Sequence, residues 1–131
     1  MPNRYAASVL LALSFIGYSC SSAPTQTQLD SSMNGGTFTA SPNDKFSLRL
    51  DLNADAGYQW DYEISDSTVV TMEAPPAFQA PENVTGGVTV ETFYFRVLKG
   101  GRCTLTFNQL RGWEQGVPPI STVEFLVVVN P

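Results

Sequence analysis

KFSLRLDLNADAGYQWDYEIS, residues Lys45 to Ser65, holds the pattern on which the fold turns. Its first part alternates, with Phe46, Leu48, Leu50 and Leu52 on one face and Ser47, Arg49 and Asp51 on the other. Its last part alternates again, with Tyr58, Trp60 and Tyr62 opposed to Gln59, Asp61 and Glu63. A period of two is the mark of a strand with one buried face. Between them stands NADAG, Asn53 to Gly57, a short turn-forming run that ends in glycine. A chemically plain loop therefore leads into a heavily aromatic strand.

The same alternation recurs outward from this stretch. Thr37–Ala40 reads as a short strand and Ser41–Asp44 as a turn; Thr68–Glu73 is another short strand. Ala74 to Gly87, with three prolines and two glycines, reads as a long loop. Val88–Leu98 places Phe93, Phe95 and Val97 on one face, Lys99–Gly101 turns the chain, and Arg102–Leu110 places Cys103, Leu105 and Phe107 inward. Arg111–Ile120 is a loop, and Ser121–Asn130 is a last strand, apolar on both faces for much of its length. No segment carries a helical period with start and stop signals. Seven strands with a tryptophan in the third predict a seven-stranded antiparallel immunoglobulin-like β-sandwich, with Trp60 as its core filler. A closed barrel is the structural alternative.

Composition narrows the function. The 131 residues, 43% hydrophobic, suffice for one core. The formal charge of −5 repels nucleic acid. With no histidine, imidazole-dependent nucleophilic catalysis is excluded and most zinc sites are disfavoured. Twelve carboxylates would permit glycoside hydrolysis, but most alternate with apolar residues as on a solvated strand face. The chain reads as a non-enzyme that needs no cofactor and no metal.

The N-terminus reads as a targeting segment. Arg4 is followed by the apolar AASVLLALSFIG, too short to span a bilayer, and then by Gly17-Tyr18-Ser19-Cys20, which resembles a bacterial lipobox with Gly17 where leucine is usual. The expected division is a lipoprotein-type signal peptide over 1–19, a flexible tether over 20–36 and the folded domain over 37–131. Cys20 would be acylated and anchor the protein to the bacterial cell envelope; a secretory signal cut near Ala23 is the alternative. Loss of Arg4 leaves six basic and twelve acidic side chains in the mature chain. With Cys20 lipidated, Cys103 reads as a small buried hydrophobe.

In a seven-strand sandwich the loops at 53–57, 74–87 and 111–120 lie at one end. Together they resemble the chagasin-like inhibitors of papain-family cysteine proteases, over roughly Thr37 to Val129. The first motif of that family, Asn-Pro-Thr-Thr-Gly, stands here as Asn53, Ala54, Asp55, Ala56 and Gly57, matching at its ends, with Tyr58 and Trp60 following as in the family. The third, Arg-Pro-Trp, stands as Arg111, Gly112 and Trp113, followed by Glu114. The second, Gly-x-Gly-Gly, is represented by Gly86 and Gly87, two residues farther from Glu91 than the family pair.

The resemblance implies a reversible inhibitor that fills a protease cleft with three loops. Asn53 to Gly57 would sit over the catalytic cysteine and histidine, Gly86 and Gly87 along the non-primed side, and Arg111 and Trp113 over the primed side. Small side chains let a backbone enter a narrow groove, and an exposed Trp beside an Arg is the usual make-up of an interface anchor. The partner implied is a papain-family cysteine protease, met by a monomer. Two other readings stay open: a non-inhibitory immunoglobulin-like interaction or adhesion module of an envelope lipoprotein, and a carboxylate-based carbohydrate domain.

Overall fold

The computed structural model describes residues 14, 16–17, 26–81 and 87–131. Eight strands run in chain order: β1 Gln26–Asp30, β2 Thr37–Ala40, β3 Lys45–Leu52, β4 Gln59–Ile64, β5 Val70–Gln79, β6 Thr89–Val97, β7 Gly101–Leu110 and β8 Ser121–Val129. They form two four-stranded sheets, ordered β1-β3-β6-β5 and β2-β8-β7-β4. The sandwich architecture is the expected one, with eight strands in place of seven.

The sheets close on each other through the alternating apolar residues. Phe46, Leu48, Leu50, Phe93, Phe95 and Val97 of one sheet meet Cys103, Leu105, Phe107, Phe125 and Val127 of the other, all at most 2% exposed. Six rings form a continuous train through this core, ending at Tyr62, which lies 6.0 Å from Phe93. Phe38 lies 5.0 Å from Phe46, Phe46 5.1 Å from Phe95, Phe95 6.1 Å from Phe107, and Phe107 5.0 Å from Phe93. Offset and edge-on contacts of this kind add about 0.5–1.5 kcal/mol per pair beyond the area they bury. Cys103 is buried as a small hydrophobe and free of any disulfide. Trp60 closes the loop end of the core at 8% exposure and donates its indole N–H to the carbonyl of Asp51 at 3.0 Å.

Three expectations are corrected. The stretch read as a tether contains β1, so the sandwich already includes Gln26–Asp30, ahead of Thr37. β1 pairs in parallel with β3, and a 3-10 turn at Ser31–Met33 carries the chain into the other sheet, where β2 pairs in parallel with β8. Only Leu29 of β1 is buried, so a five-residue edge strand rich in Gln and Thr gives no apolar alternation to read. The sheets are accordingly mixed, because the two N-terminal strands switch sheets without hairpins. Finally, β5 continues to Gln79 through Pro75 and Pro76. Proline is tolerated there because β5 is an edge strand, and two register shifts, between Met72 and Ala74 and between Ala74 and Ala77, absorb the missing donors. The signal peptide, with the exception of residues 14, 16 and 17, and Cys20 lie outside the described residues.

Candidate functional site

The connections β3–β4, β5–β6 and β7–β8 emerge at one end of the sandwich. The first is a single 3-10 turn over Ala54–Ala56. Its closing residue Gly57 has φ +81°, a left-handed conformation that L side chains rarely adopt, and its amide donates to the carbonyl of Ala54 at 2.9 Å. The turn is fastened to the sandwich at its start, where the Asn53 amide donates to Oε1 of Gln109 at 3.1 Å. Asn53, Ala54 and Asp55 are exposed; Ala56, Gly57 and Tyr58 are half-buried.

The third loop closes on the first. Nε of Arg111 donates to the carbonyl of Ala56 at 2.9 Å, and its Nη1 donates to Oε1 of Glu114 at 3.1 Å. The guanidinium stands 4.5 Å above the Tyr58 ring and 5.9 Å from that of Trp113. Trp113 itself lies against Gly57 yet remains 69% exposed. A β-carbon on Gly57 would come within 2.1 Å of its Cη2, so this approach is open to glycine alone. Gly112, between them, borders the Gln59 side chain. The arrangement is a single edge built from two hydrogen-bonded loops, with an exposed indole at its tip.

The second loop is described at its two ends. Gly87 and Val88 share an open depression of about 340 Å³ with Asp51, Leu52, Asn53, Asp55 and Gln109. The expected site residue Gly87 therefore borders the first loop, while Gly86 lies outside the described residues.

The expected site residues at 53–58 and 111–113 are thus brought together. Arg111 also ties the site together: Nε donates to the Ala56 carbonyl and Nη1 to Glu114, which holds the first and third loops to each other. Gln109 escapes sequence reading, because in the alternation of β7 it is one more inward position, and only the fold shows its 8%-exposed amide reaching the Asn53 backbone. Behind the second loop, Glu91 points inward at 5% exposure with Oε2 unpartnered, and burial raises its carboxyl to about 7. No group of His, Cys, Asp or Glu among the described residues is placed to hold a metal ion.

Comparison with known proteins bears on the fold and the family. Residues 39–127 match the chagasin family of peptidase inhibitors, I42. Amoebiasin-2 of Entamoeba histolytica is 27% identical over 95 residues, covering 72% of this chain and 77% of the relative. The crystal structure of the cysteine protease inhibitor EhICP2 from the same organism superposes with a TM-score of 0.72 at 22% identity, covering 80% of this chain and 96% of that one. PbICP-C, whose structure was solved in complex with falcipain-2, gives a TM-score of 0.54 at 16% identity over 82% of this chain and 91% of that one. With most of its sandwich inside the family profile, the chain belongs to the chagasin family of peptidase inhibitors and not to a family of enzymes.

Proposed function

We propose that this protein is a reversible inhibitor of papain-like cysteine proteases that blocks the active-site cleft with the three loops at one end of its sandwich. The observation that carries the reading is the joined edge of the first and third loops, in which Arg111 clamps Ala56 and Trp113 lies against Gly57 while staying exposed. The family match and the fold shared with a cysteine protease inhibitor support the class of target.

The mechanism needs no bond to be made. Ala54, Ala56 and Gly57 carry so little side chain that the backbone of the turn can approach a thiol at the bottom of a groove. Trp113 then covers one flank, gaining from burial an indole that water now surrounds. Because the turn is fixed by Gln109 at its start and Arg111 at its end, little conformational entropy remains to be lost on docking. The leader supports a further reading, that Cys20 is acylated and tethers the inhibitor to a bacterial envelope membrane.

Titration of papain with the purified protein tests the proposal. Activity should fall linearly to a stoichiometric end point at enzyme concentrations well above Kd. Unchanged activity at a large excess would overturn it.

A further inference from the structure

We infer that the end of the sandwich opposite the three loops is a membrane-facing base, which sits on the anionic phospholipid headgroups of the bilayer and keeps the loop edge pointing away from it. This rests on the reading that Cys20 is acylated and adds to it the orientation in which the inhibitor is displayed.

The topology brings the chain in at that end. β1 runs parallel to β3, with Gln26 level with Lys45, where β3 begins, while the first loop leaves after Leu52, where β3 ends. Five residues separate Cys20 from Gln26. At about 3.3–3.6 Å per residue, Gln26 stands no more than roughly 20 Å from an acylated Cys20. The length of β3 from Lys45 to Leu52, at about 3.4 Å per residue, puts the loops roughly 24 Å farther along.

The turns at this end are tied into one surface. The Asn43 amide donates to the carbonyl of Val97 at 2.9 Å, the Leu98 amide to that of Val69 at 2.8 Å, and the Asn130 amide to that of Ala40 at 3.0 Å. Leu98, 43% exposed, and the exposed Lys99 stand in the connection that crosses from β6 in one sheet to β7 in the other.

Charge is divided along the same axis. Six basic side chains follow Arg4, and four of them, Lys45, Arg96, Lys99 and Arg102, stand at the base. Lys45 pairs with Arg96, one row from buried Phe46 and Phe95, so both project on the outer face of their sheet. Arg102 precedes buried Cys103 and projects on the outer face of the other sheet. Lys45 and Arg96 share the single carboxylate of Glu73, at 3.0 and 2.8 Å, which leaves one of their two charges uncompensated. Asp44 and Asp66, the other acids at this end, accept hydrogen bonds within their own turns, from the amides of Ser41 and Thr68. Toward the loops the balance reverses. The two remaining cations, Arg49 and Arg111, stand among Asp51, Asp55, Asp61 and Glu114.

An anionic surface attracts the first set and repels the second. With the base down, the loop acids lie well beyond the screening length of about 8 Å at physiological salt; with the molecule tipped over, they come within it. The acyl group keeps the protein on the membrane, so the charges have only to set its orientation. Upright, the loops are free to enter a protease cleft.

The test uses the acylated protein purified from membranes and reconstituted in vesicles of phosphatidylcholine, alone or with about 30% phosphatidylglycerol, and reads amide hydrogen exchange by mass spectrometry. On the anionic vesicles exchange across 98–102 and 41–45 should slow at least about threefold relative to the neutral ones, while 53–57 and 111–114 exchange alike on both. The protection should vanish at about 0.5 M NaCl. It should vanish also in the double variant Lys99→Glu, Arg102→Glu, whose two positions are exposed. Acylated protein that exchanges equally on both vesicles overturns the orientation and leaves the lipid anchor standing. Protection at the loop edge in place of the base overturns it too, as does protection that survives the salt, since charge then plays no part. A protein recovered without an acyl group removes the anchor reading, and the orientation with it.

Discussion

The indole of Trp113 occupies the space that a side chain on Gly57 would need, with its Cη2 2.1 Å and its Cζ3 2.9 Å from where that β-carbon would lie. The two residues come from different loops, and their contact makes one edge of two turns. Gly57→Ala therefore suffers twice, from a β-carbon at φ +81° and from the displaced indole. The left-handed strain alone costs about 1 kcal/mol, or roughly 4 °C or more in Tm for a domain of this size. Inhibition should weaken about tenfold or more, and the tryptophan emission spectrum should shift as the indole leaves its seat. An inhibition constant unchanged by Gly57→Ala would show that the contact plays no part in binding.

Arg111 is the second tie between these loops, and lysine cannot replace it. Nε reaches the Ala56 carbonyl while the guanidinium plane covers Tyr58, and a single ammonium cannot hold both positions. Arg111→Lys should keep the charge yet speed hydrogen exchange at the Gly57 amide, measured by NMR. Global stability should fall by only about 1 kcal/mol, the worth of one hydrogen bond. Exchange as slow as in the unmodified protein would mean that the turn is held by its own Ala54–Gly57 hydrogen bond.

The two tryptophans should separate stability from binding. Trp60 is 8% exposed in the core and Trp113 is 69% exposed at the edge. Trp60→Ala is expected to cost roughly 3–5 kcal/mol of stability, as large-to-small core changes do. Trp113→Ala should leave the melting curve almost in place and weaken inhibition by about 2 kcal/mol or more. Denaturant titrations and inhibition constants for both variants decide the matter. If Trp113→Ala unfolds the domain, the edge is structural.

Asp55 stands exposed in the turn, at the position of the first threonine in the family motif, and borders the depression shared with Gly87. A carboxylate carried into a cleft loses water, at a cost of several kcal/mol unless it is well paired. Against papain, Asp55→Thr should bind more tightly than the unmodified protein, and Asp55→Asn should gain less. Weaker binding by Asp55→Thr would instead mean that the acid is matched to a basic feature of the natural target.

The legible parts of the molecule were those in which one residue type met one period. The strands bearing Phe46–Leu52, Phe93–Val97 and Cys103–Phe107 alternate cleanly, and the core followed from them. β1 was hidden because a sheet edge needs backbone hydrogen bonds more than apolar side chains, and Leu29 alone carries its burial. The extension of β5 was hidden because prolines argue against a strand unless it is known to be an edge, which is a tertiary fact. In the site, the Asn-Gly and Arg-x-Trp signatures mark two loops that the fold brings into contact at one end. The role of Arg111 as a clamp, and of Gln109 as an anchor, depends on distances between segments far apart in the chain.

Glu91 gives the last prediction its sign. Its carboxyl is buried behind the second loop, one oxygen has no partner, and its register neighbours Leu50 and Phe78 are both apolar. Burial raises its pKa from 4.5 to about 7. The native state therefore holds a proton that the unfolded chain releases between those values, and stability falls as pH rises from 4.5 to about 7. At 1.36 kcal/mol per unit the loss is on the order of 3 kcal/mol by pH 8. Asp30, Asp66 and Glu73 act in the opposite sense. Hydrogen bonds from Ser32, Thr68 and Lys45 respectively hold them below their ordinary values, so their contribution is lost as pH falls through the acid range. Stability should consequently peak in mildly acid solution. Glu91→Gln keeps the shape without the charge. It should flatten the decline between pH 5 and 8 and raise Tm at pH 8, while changing little at pH 4.5. Urea unfolding of both proteins across that range provides the check, and parallel curves for the two would show that Glu91 is already hydrated in the native state.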